Sequence, residues 1–221
     1  MKTLKKIISG LAIAASFAAL PASATVITVT GFAQPTPTTV HINSLAPSTA
    51  LYVYSGGFNT TDGVNSFVSW CVDILQGTYF NSPVTDYTLT NAALVPQIGA
   101  ARADALSRLA TAHLGQVNNG ATSGAFQLAV WEIVYETAGT PYNIASGNFS
   151  AWGASNSAIT TAQSWLTSLG TTSAYDVNVL VSPTRQDLAV FTTVPEPASL
   201  GLLAVGLIGL GLAKRKKRDA A

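Results

Sequence analysis

The sequence predicts an α+β fold: an antiparallel β-rich domain with an inserted helical subdomain, flanked by an N-terminal signal peptide and a C-terminal transmembrane helix. Three observations carry this expectation. β-Branched and aromatic runs, punctuated by Gly, Pro and Asp-Gly, fill the first half of the body. From Val95 the apolar residues recur at helical spacing. From Tyr175 the strand pattern returns, and strands, then helices, then strands favour an antiparallel sheet with segregated helices.

The elements follow in order. Val26 to Thr30 opens the first strand, and Gln34-Pro35-Thr36-Pro37 breaks it. Thr38 to Ile42 and Leu51 to Tyr54 follow, the latter closed by Ser55-Gly56-Gly57. Asp62-Gly63 reads as a turn, because Asp bonds its own following backbone and Gly accepts positive φ. Phe67 to Ile74 is the next strand and Tyr87 to Leu89 a short one. Ile98, Ala101, Ala105, Leu109, Ala112 and Leu114 mark a helix over 97–114, ended by Gly115. A second helix runs over 123–136, with Phe126, Val130, Ile133 and Val134 on its buried side. A third covers 157–169 and stops at Gly170. Gly120, Gly139-Thr140-Pro141 and the stretch 143–157 read as connectors. Tyr175 to Val181 and Leu188 to Thr193 complete the sheet.

Both ends of the chain read as addresses. Met1 to Lys6 carries three lysines, Ile7 to Leu20 is apolar, and Ala22-Ser23-Ala24 offers a small-residue cleavage site. That is the pattern of a secretory signal peptide over 1–24, cut before Thr25, and it implies export by the Sec route. At the other end, Val194-Pro195-Glu196-Pro197 leads into an apolar run, Ala198 to Ala213, capped by Lys214-Arg215-Lys216-Lys217-Arg218. Sixteen helical residues span roughly 24 Å, against a hydrocarbon core of ~30 Å, and flanking basic side chains can snorkel across the shortfall. The basic cluster stays cytoplasmic by the positive-inside rule, which leaves the body outside.

Charge divides along the same lines. Eight of the eleven basic residues lie in these two end segments, so the body, 25–193, holds three arginines against eight carboxylates, a formal −5. An acidic body without clustered cations excludes nucleic acid as a partner. At 169 residues the body suits one domain with a real interior.

The tail 194–221, with its Pro195-Glu196-Pro197 motif, apolar segment 198–213 and basic end Lys214 to Arg218, resembles the PEP-CTERM sorting signal. In that family the signal is recognised by exosortases of Gram-negative bacteria that make extracellular polysaccharide. The resemblance implies an exosortase and the inner membrane as partners during sorting. It also implies inner-membrane anchoring before processing, and a destination at the cell surface or in the extracellular, biofilm-type matrix.

The body offers little catalytic chemistry. His41 and His113 lack partners at ligand spacing, so no metal or other cofactor is expected. No Gly-x-Ser-x-Gly elbow, phosphate loop, dinucleotide fingerprint or nucleophile–base–acid set is present, which argues against an enzyme. Glu132 and Glu136 stand four apart on one helix, read as a solvated face rather than an acid–base pair.

One constellation stands apart. Trp70-Cys71-Val72-Asp73 holds the single cysteine, and Phe126-Gln127 with Val130-Trp131 puts a glutamine on the apolar helix. Over 67–136 these two segments resemble the halves of bacterial thioester domains of surface adhesins. An aromatic-Cys-aliphatic-Asp strand there supplies a thiol, and a Gln followed by an aliphatic residue and Trp supplies a carboxamide. Carried over, Cys71 and Gln127 are the crosslinked pair, while Trp70, Asp73, Phe126 and Trp131 flank it. Phe126 stands where the family has Thr, and Trp70 is larger than the usual aromatic. The resemblance implies covalent attachment to a surface amine or hydroxyl. Asp73, two residues past Cys71, is expected on the same side of the strand. The alternative from the residues alone is a structural or polysaccharide-associated matrix protein. Cys71 would then be a buried core thiol, with Trp152 and Trp165 available to stack on sugars.

Overall fold

The computed structural model describes residues 25–46, 48–153 and 157–194. The signal peptide 1–24, the motif Pro195-Glu196-Pro197, the apolar segment 198–213 and the basic cluster Lys214 to Arg218 lie outside the described residues. Among the described residues, no helix is long and apolar enough to cross a membrane.

The sheet strands are β1 (Thr25–Phe32), β2 (Thr38–Leu45), β3 (Ser48–Ser55), β4 (Phe58–Thr61), β5 (Ser66–Cys71), β6 (Val84–Asn91), β7 (Phe149–Trp152), β8 (Tyr175–Val181) and β9 (Leu188–Thr193). Three helices, α1 (Gly99–His113), α2 (Gly120–Tyr135) and α3 (Ala158–Thr167), fall between β6 and β8. Six strands close an antiparallel barrel in the order β1-β4-β5-β9-β8-β6, and β3-β2-β7 form a second sheet. The expected antiparallel α+β body with inserted helices is therefore present. Closure removes free edges from the larger sheet. Register shifts at 25–27 and 29–31 let β1 serve two neighbours.

Four local expectations need correction. β4 and β7 were not foreseen, and β7 lies inside the stretch read as a connector. Both are four residues long, too short for alternation to register. Gly120 is the first residue of α2 rather than a connector. The strand at Phe67 stops at Cys71, so Val72, Asp73 and Ile74 lie beyond it and Asp73 does not share a strand face with Cys71.

Helix α2 is the centre of the molecule. Asn119 caps it through a reciprocal capping box with Thr122. From Ser123 to Tyr135 every residue is buried, so it is a core helix rather than an amphipathic one. Its first turns lie directly on the β2–β3 hairpin: a Cβ on Gly120 would run into the main chain of Thr36, and one on Gly124 into the Thr38 side chain. Ser55 Oγ donates to the Gly124 carbonyl, and Gly57 N–H donates to Ser123 Oγ. This close seating fixes where the middle of α2 meets the end of β5.

Candidate functional site

Strand β5 carries Cys71 as its last residue, between β4 and β9. Its main chain finds a side chain where another strand would pair. Cys71 N–H donates to Gln127 Oε1 at 2.9 Å, and Gln127 Nε2 donates to the Cys71 carbonyl at 2.8 Å. The carboxamide thus acts as a one-residue strand, satisfying both polar groups of a peptide buried with it. One helical turn on, Trp131 Nε1–H donates to Cys71 Sγ at 3.3 Å. The thiol in turn donates to the Asp73 carbonyl at 3.1 Å.

The segment after Cys71 is pinned from three sides. Tyr135 Oη accepts from Ile74 N–H at 3.0 Å and donates to the Val72 carbonyl at 2.9 Å. Gln186 Nε2 reaches the carbonyls of Asp73 and Gln76, both at 3.1 Å. The Asp73 carboxylate accepts from Leu75 N–H at 2.8 Å, which shapes a tight turn. These bonds hold the Asp73 carbonyl against the sulfur.

Cys71, Gln127 and Trp131 line the floor of an open cleft of about 520 Å³, whose walls include Phe32, Phe58, Phe80 and Leu75. Among the described residues, no Asp, Glu, Lys or Arg lines it. Burial is the largest influence on the Cys71 thiol and drives its pKa well above the ordinary thiol value; the Trp131 N–H offsets this only in part. The resident form is the neutral thiol.

Residues singled out from the sequence separate into two groups. Cys71, Gln127, Trp131 and the Asp73 backbone come together. Trp70 and Phe126 pack on one another with centroids 4.5 Å apart, and Phe126 also meets Trp165 and Phe191. Neither lines the cleft. A Cβ on Gly57 would lie 2.9 Å from Trp70 Cη2, so this tryptophan fills the space a glycine vacates.

The two glutamates correct the sequence expectation outright, for both are buried. Glu132 Oε1 accepts from Asn143 N–H at 2.7 Å, and Glu136 Oε2 accepts from Asn148 N–H at 2.9 Å. They clamp the 143–148 loop rather than face solvent, and neither lines the cleft. Among the described residues Glu132 Oε2 has no hydrogen-bond partner, and burial raises this carboxyl to a pKa of about 7, with Glu136 nearby adding to the shift.

Trp165 is also buried, stacked 5.0 Å from His113, so it presents no face to a sugar. No group of three or more metal-ligating side chains gathers among the described residues. The residues that sequence reasoning missed at the site are Tyr135 and Gln186. Their partners are backbone atoms 61 and 113 positions away, a separation that no local pattern encodes.

Comparison with known proteins bears on the tail alone. No curated protein and no solved structure matches the chain. Residues 193–217 match the PEP-CTERM protein-sorting motif, so the chain ends in an exosortase sorting signal: the motif implies a membrane-anchored precursor, processed by an exosortase and exported to the surface.

Proposed function

We propose that the exported domain is an adhesin-like surface module that forms an internal thioester between Cys71 and Gln127 and uses it to attach covalently to a surface nucleophile. The observation that carries this reading is the docking of the Gln127 carboxamide on the Cys71 peptide at the floor of an open cleft. In the first step Cys71 Sγ adds to Gln127 Cδ. The C–N bond breaks, the thiol proton passes to the departing nitrogen, and ammonia leaves.

Amides are poor electrophiles, so most of the rate must come from placement; well-oriented groups gain ~7–11 kcal/mol. The Cys71 N–H already donates to Gln127 Oε1, where negative charge develops on addition. A neutral thiol meeting a neutral amide needs no free thiolate, in keeping with burial of the sulfur. In the second step an amine or hydroxyl from a partner attacks the same carbon. The C–S bond breaks, the proton returns to Sγ, and the partner stays on Gln127. The domain reacts once, as a crosslinker rather than an enzyme. It reaches the outside by Sec export through the segment 1–24.

Intact mass of the exported protein tests the proposal. One ammonia less than the sequence mass, restored in Cys71→Ala and Gln127→Ala, is expected. Methylamine should add one equivalent to the wild type and liberate a thiol. A full-mass protein, whether or not Cys71 alkylates under native conditions, would overturn the reading. It would leave the second one, a non-covalent matrix protein in which Cys71 is a core thiol. That alternative is favoured by the burial and the two hydrogen bonds of the sulfur.

A further inference from the structure

The sheet β3-β2-β7 has two unlike faces. Val40, Ile42, Ser44 and Ala151 point inward and are buried. By alternation, His41, Tyr52 and Trp152 point outward. Register places them in one row, Tyr52 opposite His41 and His41 opposite Trp152. The His41 ring stacks on Trp152 at 5.6 Å and 9°, and sits 4.5 Å from Tyr52. Gly153, at φ +74°, brings the chain out of β7 directly beside the imidazole, where a Cβ would come within 3.0 Å of it.

Such a row is costly to leave in water. Tyr52 is 66% exposed and Trp152 50%, whereas Trp70, Trp131 and Trp165 are all buried. Cross-strand ring pairing stabilises a sheet but does not require the two outer rings to stand open. An outward sheet face is ordinarily furnished with charged or polar residues. Here β2, β3 and β7 contain no Asp, Glu, Lys or Arg, and the outward neighbours of the row are Thr39, Asn43, Ala50, Tyr54 and Ser150.

Ring faces flanked by hydroxyls and an amide, with no acidic or cationic side chain of the Asp, Glu, Lys or Arg kind, match one ligand chemistry. A pyranose presents an apolar face of C–H bonds, which packs on the negative face of an aromatic ring. Its hydroxyls bond to hydroxyl and amide neighbours. On these three strands a charged polymer would find no Lys or Arg and no carboxylate to pair with. We infer that the outer face of this sheet binds uncharged polysaccharide, with Trp152 and Tyr52 as the stacking rings and His41 holding them in line. This surface needs neither Cys71 nor Gln127.

The test uses the full chain in a polyoxyethylene detergent, since sugar-based detergents would compete. Dextran, hydroxyethylcellulose and galactomannan are the uncharged probes and alginate is the charged control. Trp152, the one exposed tryptophan, reports binding directly. Its emission should shift to the blue and its quenching by acrylamide should fall with at least one uncharged polymer, reversibly on dilution. Trp152→Ala should weaken retardation in a polymer-containing native gel by about tenfold or more, and Tyr52→Ala by about threefold. Unchanged emission of the three buried tryptophans would confirm that the variants fold. No response to any uncharged probe, an equal response to alginate, or full retardation of a Trp152→Ala/Tyr52→Ala double variant would overturn the inference. So would concentration-dependent self-association lost in Trp152→Ala, which would assign the face to a second copy.

Discussion

At the residue scale, Gln127 has two duties. It satisfies the N–H and carbonyl of the buried Cys71 peptide on the edge of β5 that β4 does not reach, and in the proposed function its carboxamide carbon is the target of the Cys71 thiol. The first duty has a measurable consequence that does not depend on the second. Gln127→Ala leaves the Cys71 N–H and carbonyl without partners, and each such loss costs about 1–3 kcal/mol. Chemical denaturation of Gln127→Ala should therefore show a loss of about 2–6 kcal/mol relative to unreacted protein. Cys71→Ser, which keeps both backbone bonds and leaves Trp131 Nε1–H an acceptor, should lose less relative to the same reference. Equal losses would show that the carboxamide is not holding the strand end.

Glu132 supplies a second prediction at this scale. Its folded pKa, about 7, lies above the ordinary 4.5, so the folded state holds a proton that the unfolded state releases first. Stability from this group is full below about pH 4.5, falls as pH rises, and levels off above about pH 7, a span of up to about 3 kcal/mol. Asp187, raised to about 6 mainly by burial, adds a slope of the same sign at lower pH. Glu132→Gln should flatten the upper part of the curve and stabilise the protein at pH 8 more than at pH 5. A pH-independent difference between variant and wild type would refute the assignment.

Among the elements, the decisive one is α2, and it exposes what the sequence does and does not disclose. Its existence and its run from Ser123 follow from the spacing of Phe126, Val130, Ile133 and Val134, although its first turn at Gly120 reads as a connector. Its burial on all sides does not, because Glu132 and Glu136 carry the letters of a solvated face. Their partners are backbone N–H groups of the 143–148 loop, and periodicity records no such partner. Likewise, the apolar run from Phe67 continues to Ile74, yet β5 ends at Cys71, where a side chain takes over its pairing. Cys71 and Gln127 were legible as a pair from their motifs, while Tyr135 and Gln186, which shape the loop around them, were not. Close seating of α2 is testable. Gly120→Ala drives a methyl into the Thr36 main chain, and overpacking against backbone should cost roughly 2–4 kcal/mol. Gly115→Ala, with open space around its Cβ position, should be close to neutral in the same thermal melts.

For the whole molecule, a closed barrel and a small sheet share one central helix, and the contacts that join them span long stretches of sequence. The proposed crosslink ties residues 56 apart, which by chain entropy should add roughly 4 kcal/mol to the stability of the reacted domain. Unfolding of wild type against Cys71→Ala, before and after methylamine cleavage, measures this directly. Cleaved wild type should fall toward the variant, and an unchanged midpoint would rule out a stabilising crosslink.

The pairing of β5 with β9 has a mechanical consequence. β9 runs into the sorting signal by which the precursor is anchored, and it lies antiparallel to β5, with Leu188 opposite Cys71. The C-terminal ends of two antiparallel strands sit at opposite ends of their ladder. For a domain held beyond Thr193, a pull passed to the Cys71 end of β5 through the two hydrogen bonds of the Gln127 carboxamide therefore loads the ladder in shear. The rungs at Ser69, Trp70 and Cys71 resist together instead of parting one by one. Under the proposed function, β5 is thus placed to share, through its ladder with β9, a load that enters at Gln127.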